Sequence, residues 1–112
     1  MLRQAIALSR MDQLLIDRQT DANFVYGAYS AGCCVLSPTL KPYQHGSDPN
    51  DTPYPGLDDT PWTGLGLIDF AFMPHYQSEH REIAAIDREI AYCERHGIAY
   101  RTVADGRALV IR

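Results

Sequence analysis

The chain has 112 residues, a formal net charge of −4 and 46% hydrophobic residues. This length and composition are typical of one folded domain over residues 1–112 and not of a disordered tail. The acidic balance argues against nucleic-acid and anionic-membrane binding, and no apolar run approaches the ~20 residues that span a bilayer. Three cysteines cannot form a fully paired framework, which favours reduced thiols and a cytoplasmic location.

The first third of the chain combines helical spacing with one short apolar run. Residues 2–19 predict a helix that is broken in two, with a new start at residues 9–12. Residues 24–28 are apolar and aromatic and predict a buried strand. Small residues follow at 29–36, so we expect a tight turn into a helical segment that Pro38 ends.

A long loop is predicted over residues 38–64, because six of the seven prolines and four aspartates lie there. Loops longer than ~15 residues are uncommon in compact domains and often functional. A solvated insertion without a role explains the composition equally well.

The second half of the chain predicts strand, helix, strand and strand. Residues 65–72 form the expected second strand, and a helix over 78–95 is indicated by an apolar stripe of Ile83, Ile86, Ile90 and Cys93. Gly97 stands at the expected helix stop. Residues 98–103 and 107–111 predict two strands joined at Asp105-Gly106, which is typical of a type I′ hairpin turn.

This order predicts an α/β domain. We expect three α/β/α layers around a mainly parallel, flavodoxin-like sheet, with an antiparallel hairpin at the C-terminus. Ligands of such sheets bind beyond the carboxyl ends of the strands. Ser30 and His75 each follow the carboxyl end of a predicted strand, so both are candidate functional residues.

The Ser30 turn allows two interpretations. A serine on a sharp strand-to-helix turn has the arrangement of a nucleophile elbow, in which the first N–H groups of the helix stabilise an oxyanion. Ala31 and Gly32 supply the small side chains that such a turn requires. A serine in this position is also a common helix N-cap, and the pattern alone leaves both readings open.

Several segments resemble the peptidase E family of serine peptidases, which includes aspartyl dipeptidases and is related to cyanophycinases. The family belongs to the class I glutamine amidotransferase-like superfamily. The resemblance rests on Tyr29-Ser30-Ala31-Gly32, Val35-Leu36-Ser37-Pro38-Thr39, Gly64-Leu65-Gly66-Leu67-Ile68, Pro74-His75-Tyr76 and Ala104-Asp105-Gly106-Arg107-Ala108-Leu109. Residues 2–5 and 9–12 also look like the family's helix before the elbow, so the resemblance covers nearly the whole chain in the right order.

The resemblance implies a peptidase of the dipeptidase type that acts on small peptides through an acyl-enzyme, without a cofactor. It places Ser30 as nucleophile, His75 as general base, Asp105 as the acid that orients His75, and the Ala31 N–H as an oxyanion donor. From the residues alone, His75 is better explained as a surface loop residue, and Asp105 is explained equally well as a turn residue.

Family members also carry an N-terminal half with several strands and a glycine-rich turn that supplies the other oxyanion donor. The resemblance therefore implies an N-terminally truncated domain with an exposed strand edge beside residues 24–28. Three explanations stay open: a fragment of a longer enzyme, an inactive remnant, or a sheet completed by a second copy or a complementing N-terminal half.

Other chemistries are less well supported. His75, Glu79 and His80 are similar to a zinc-peptidase helix, but the histidines are five residues apart, about 140° around a helix. Cys93 and His96 lack a second ligand pair, so no metal is expected. Cys33 and Cys34 lie beyond the elbow position, which argues against either thiol as the nucleophile. Both are better explained as small hydrophobic residues that are buried. A catalytically silent binding module and a glutamine amidotransferase subunit complete the alternatives.

Overall fold

The computed structural model describes residues 2–45, 62–79 and 83–111. Its helices are α1 (Leu2–Leu8), α2 (Met11–Arg18), α3 (Ala31–Cys34) and α4 (Ile83–His96), with a 3₁₀ turn at Lys41–His45. Its strands are β1 (Ala71–Met73) and β2 (Tyr100–Thr102). The α/β class is confirmed. Among the described residues, no helix combines the length and the apolar character that crossing a membrane requires.

The break between α1 and α2 lies at Arg10, whose φ of 61° is left-handed and ends the first helix. The predicted break is therefore confirmed. Ser9 does not cap α2, because its hydroxyl donates to the Ile6 carbonyl oxygen at 3.2 Å. Of the two leucines expected in the core, Leu15 is buried and Leu14 is 45% exposed.

The sheet within the described residues is a parallel pair, with Ala71 opposite Tyr100 and Met73 opposite Thr102. Further backbone bonds continue the pairing at both ends. The Ala71 N–H donates to the Ala99 carbonyl (2.8 Å), and the Val103 N–H donates to the Met73 carbonyl (2.9 Å). Because the strands are parallel, their carboxyl ends meet at one edge, and the chain after β1 lies beside the chain after β2.

Helix α4 connects the two strands and covers the pair. The predicted apolar stripe is confirmed: Ile86 and Cys93 are buried, and Ile83 and Ile90 are half-buried. The fully buried core consists of Ala71, Met73 and Cys93. Gly97 follows the helix with a φ of 65°, the left-handed conformation that favours glycine at a helix C-terminus.

A buried polar network ties β1 to the segment after α3. The Tyr43 hydroxyl donates to the Phe72 carbonyl (2.7 Å), and the Phe72 N–H donates to the Ser37 hydroxyl oxygen (3.2 Å). The hydroxyls of Ser37 and Tyr43 are 3.0 Å apart, which closes the network. Burial and the neighbouring Cys34 raise the pKa of Tyr43, so the phenol stays protonated and able to donate.

Two predicted strands are wrong within the described residues. Residues 24–28 and 107–111 are assigned no strand, and residues 67–70 form bends before β1 starts at Ala71. A strand needs a neighbour to pair with, and apolar sequence alone does not provide one. Residues 24–28 instead line a common apolar groove of about 520 Å³ with Ala108, Leu109 and Ile111.

The predicted C-terminal hairpin is also wrong, because the turn has the wrong backbone. Type I′ geometry needs positive φ at both central residues, whereas Gly106 has a φ of 79° and Asp105 stays in the negative range. The Arg107 N–H donates to the Ala104 carbonyl (3.1 Å) and closes the turn. Turns of the unprimed kind splay the chains that they join, and residues 107–111 leave without pairing back.

The predicted 38–64 loop is described only at its ends, and residues 46–61 lie outside the described residues. The ends meet: the Leu40 N–H donates to the Trp62 carbonyl (2.7 Å), and Thr39 forms an antiparallel bridge with Thr63. At Gly64 the chain passes close to the backbone of Ser37. A Cβ there would lie 1.8 Å from the Ser37 carbonyl oxygen.

We expect Gly64→Ala to destabilise the fold by roughly 1–3 kcal/mol, the usual cost of overpacking, because the Ser37 backbone has to move. Gly27→Ala is the matched control, since a Cβ at Gly27 meets no described atom within 4 Å. Urea unfolding of both variants measures the effect. Equal midpoints for the two variants would contradict the close approach at Gly64.

Candidate active site

The Ser30 turn has a strained backbone. Ser30 has φ 49° and ψ −126°, a region that residues with a side chain rarely adopt, and α3 begins at the next residue. The N–H groups of Cys33 and Cys34 both donate to the Ser30 carbonyl, at 3.0 and 3.2 Å. Such conformations cost of order 1–3 kcal/mol and concentrate at functional sites. Within the described residues Ser30 makes no side-chain capping bond to α3, which speaks against the N-cap interpretation.

His75 follows β1 after Pro74 and is held by the end of β2. The Tyr76 N–H donates to the Val103 carbonyl at 3.2 Å, so the backbone after His75 is fastened to the neighbouring strand. His75 has a left-handed φ of 59°. Its side chain is 17% exposed, which leaves the ring accessible at one edge of a largely enclosed position.

The structure brings Ser30, His75 and Asp105 together. His75 Nδ1 lies 2.7 Å from Asp105 Oδ1, and His75 Nε2 lies 3.4 Å from Ser30 Oγ. A carboxylate oxygen can only accept, so Nδ1 carries the proton of a neutral imidazole. Nε2 then has a free lone pair directed at the serine hydroxyl. This is the order of groups that nucleophile, base and orienting acid require.

Asp105 makes this contact from the turn that was expected to be a hairpin. Its side chain is 53% exposed, so water screens the charge and the ion pair adds little stability. The 2.7 Å contact nevertheless fixes the ring orientation of His75. The aspartate side chain is long enough for the role that the resemblance implies, and a plain turn residue would not need this contact.

Ala31 lies at the start of α3, directly after Ser30. The N–H groups of a helix's first turn have no acceptor within the helix, and they carry the positive end of the local dipole. The Ala31 N–H is therefore available as a donor next to the Ser30 hydroxyl. This is the position in which an oxyanion donor is needed.

The neighbouring thiols have other surroundings. Cys34 Sγ donates to the Phe72 carbonyl at 3.6 Å, and burial raises the pKa of the half-buried Cys33 thiol. Cys93 is fully buried, and burial together with Glu89 and Glu94 raises its pKa to about 11. All three cysteines are free thiols. A nucleophilic cysteine needs a lowered pKa, so these shifts have the wrong sign.

A metal centre is not indicated by the described part of the chain. No group of three His, Cys, Asp or Glu side chains is placed there to hold an ion. Glu79 is exposed, and His80, the other member of the zinc-peptidase pattern, lies outside the described residues.

Sequence reasoning missed the contacts that hold His75 in place. Besides the Tyr76–Val103 bond, both the N–H and the hydroxyl of Ser78 donate to the His75 carbonyl. The sequence offers only a weak signal for this, because a serine ahead of a helical pattern reads first as a cap for that helix.

The chain matches peptidase family S51 over residues 1–112. It belongs to this family. The resemblance to the peptidase E family is thereby confirmed. No curated protein matches the chain.

One solved structure has a fold similar to that of the present chain. A 1.5 Å crystal structure of a protein provisionally described as a peptidase E, from Listeria monocytogenes EGD-e, is similar with a TM-score of 0.67 and 20% identity. The likeness covers 92% of this chain and 45% of that one. At this identity the likeness shows the fold alone, and the present chain spans less than half of the Listeria protein's length.

We expect iodoacetamide to modify Cys33 and Cys93 slowly at pH 7 and faster as the pH rises. The raised pKa of each thiol keeps the reactive thiolate scarce at neutral pH, and Cys93 reacts more slowly still because its side chain is fully buried. Peptide mass mapping after timed alkylation measures both rates, with the unfolded chain in urea as the control. If Cys33 is alkylated at pH 7 as fast in the folded chain as in urea, its pKa is not raised by folding. Cys33 is then again a candidate nucleophile.

Proposed function

We propose that this chain carries the catalytic centre of a serine peptidase that cleaves small peptides, dipeptides among them. The observation that carries the proposal is the continuous arrangement Ser30 Oγ, His75 Nε2, His75 Nδ1 and Asp105 Oδ1, with separations of 3.4 and 2.7 Å. Membership of a peptidase family supports it. The reaction needs no metal or cofactor, because each proton has a donor and an acceptor among these side chains.

In the proposed reaction, Ser30 Oγ attacks the scissile carbonyl while its proton passes to His75 Nε2. The Ala31 N–H donates to the oxyanion of the tetrahedral intermediate. His75 then returns the proton to the leaving amine as the C–N bond breaks, which leaves an acyl ester on Ser30. A water molecule, deprotonated by His75, hydrolyses that ester and restores the serine.

The 3.4 Å between Nε2 and Oγ is longer than a well-formed hydrogen bond. Such contacts are often long without substrate and shorten in the substrate complex. Asp105 keeps Nδ1 protonated and offsets part of the positive charge that the ring gains on accepting the serine proton.

We propose a three-layer, flavodoxin-like sheet in which β1 and β2 are two of several parallel strands, as in the class I glutamine amidotransferase-like superfamily. The likeness to the Listeria structure and the β1–α4–β2 crossover support it.

A second copy of the chain or a complementing N-terminal half remains the predicted partner. Its support is that Val25 is 87% and Val110 72% exposed, on two segments without a strand partner among the described residues.

Cytoplasmic location remains a prediction, supported by the three free thiols. A glutamine amidotransferase activity is not favoured, since a serine occupies the elbow position.

We expect Ser30→Ala to abolish hydrolysis of dipeptide substrates, with a loss in kcat of at least about 10⁴-fold, and to prevent labelling by a fluorophosphonate probe. Ser9→Ala serves as the matched control, because Ser9 also bears a hydroxyl but bonds the Ile6 carbonyl in α1. Turnover and probe labelling are measured on all three proteins after their folding is verified by circular dichroism.

The same experiment decides on the alternative of a catalytically silent module. If the unaltered chain is neither labelled nor able to hydrolyse any dipeptide, and Ser30→Ala changes nothing, the peptidase proposal fails. Turnover that depends on Ser30 excludes the silent module.

A further inference from the structure

The chain after β1 makes a tight turn whose sequence does not suit its backbone. The Ser78 N–H donates to the His75 carbonyl at 3.2 Å, which makes His75 to Ser78 a four-residue β-turn. Gln77, in the third position of the turn, has a φ of 54°. That position favours glycine or asparagine, and a larger side chain there costs of order 1 kcal/mol.

A second bond reinforces this turn at the same carbonyl. The Ser78 hydroxyl donates to the His75 carbonyl oxygen at 2.7 Å, closer than the Ser78 N–H does. His75 itself has a left-handed φ of 59°, so two of the four residues carry backbone strain. The hydroxyl bond offsets part of this strain and fixes the His75 carbonyl, and with it the direction in which the His75 side chain leaves the backbone.

We propose that Ser78 is a positioning residue, which holds the His75 ring on the line between Asp105 and Ser30. The inference rests on the proposed peptidase function. Its physical basis is the small margin at Nε2, which lies 3.4 Å from Ser30 Oγ, near the outer limit of a hydrogen bond. A slight rotation of the His75 backbone removes this contact and also weakens the 2.7 Å contact between Nδ1 and the exposed Asp105.

The contribution of Ser78 is separable from that of the other anchor. The Tyr76 N–H to Val103 carbonyl bond uses backbone atoms only and survives any substitution at position 78 that leaves the turn intact. Threonine at position 78 retains a hydroxyl that can donate to the His75 carbonyl, and alanine does not.

The test compares Ser78→Ala, Ser78→Thr and Ser9→Ala with the unaltered chain. Ser9→Ala is the matched control, since it also removes a hydroxyl bond to a backbone carbonyl three residues back. We expect Ser78→Ala to lower kcat and the rate of fluorophosphonate labelling about tenfold to a hundredfold, with KM unchanged, as for a catalytic group displaced by up to an ångström. Ser78→Thr restores both rates, and Ser9→Ala leaves them unchanged.

The His75 ring provides a readout that does not depend on activity. In ¹⁵N-histidine spectra, with the His75 signals assigned by comparison with His75→Gln, the Nδ1 proton exchanges faster with water in Ser78→Ala than in Ser9→Ala. If Ser78→Ala does not fold, Gln77→Gly is added, because glycine adopts the φ of Gln77 without strain. The double variant is then compared with Gln77→Gly alone, and the proposal predicts a faster Nδ1 exchange in the double variant.

Wild-type labelling and Nδ1 exchange rates in Ser78→Ala would overturn the positioning role and leave the peptidase proposal intact. If the unaltered chain is neither labelled nor active, the peptidase proposal fails and the ring spectra alone decide. Faster Nδ1 exchange in Ser78→Ala then supports the positioning of the ring, and unchanged exchange overturns it.

Discussion

The parallel pairing of β1 with β2 is the constraint on which the candidate site depends. Met73 lies opposite Thr102, so the two chains leave the sheet at the same edge. His75 follows two residues after β1 and Asp105 three residues after β2, which brings imidazole and carboxylate to 2.7 Å. An antiparallel arrangement would separate these two segments by the length of the strands. Helix α4 stabilises the pairing by burying Cys93 and packing Ile90 against it.

The site stores strain on both sides of the contact between serine and histidine. Ser30, His75 and Gln77 all have positive φ without being glycine, and each costs free energy that the rest of the fold has to offset. The offsets are short backbone and hydroxyl bonds around His75, together with the two N–H groups of α3 that fix the Ser30 carbonyl. These contacts fix the orientation of the His75 ring, which is the preorganisation that the proposed peptidase reaction requires.

Much of this could be predicted from the sequence where a local signal exists. The stripe from Ile83 to Cys93, the stop at Gly97 and the strand ends before His75 follow from spacing and turn chemistry. Ser30, His75 and Asp105 were predicted as site residues because the resemblance adds information that pattern alone lacks, and the structure places the three side chains together. Without the resemblance, Ser30 is interpreted as a helix cap and Asp105 as a residue of a hairpin turn. Both interpretations suit the residue type, but neither predicts the contacts with His75.

The parts that could not be predicted depend on long-range partners. Residues 24–28 and 107–111 have strand composition, yet pairing is a property of two segments, and neither segment pairs with a described strand. Glu89 is buried next to the α4 stripe although its spacing does not require it. The proposed role of Ser78 depends on the positive φ of Gln77, and a glutamine in the sequence does not indicate that backbone conformation.

The tautomer of the neutral His75 ring decides whether the ring is oriented to accept the Ser30 proton. Nitrogen chemical shifts of the ¹⁵N-labelled ring distinguish a proton on Nδ1 from one on Nε2. At a pH where the ring is neutral, we expect the proton on Nδ1, facing Asp105, and an unprotonated Nε2 facing Ser30. A proton held on Nε2, or one shared evenly by the two nitrogens, would show that His75 is not oriented as the base for Ser30.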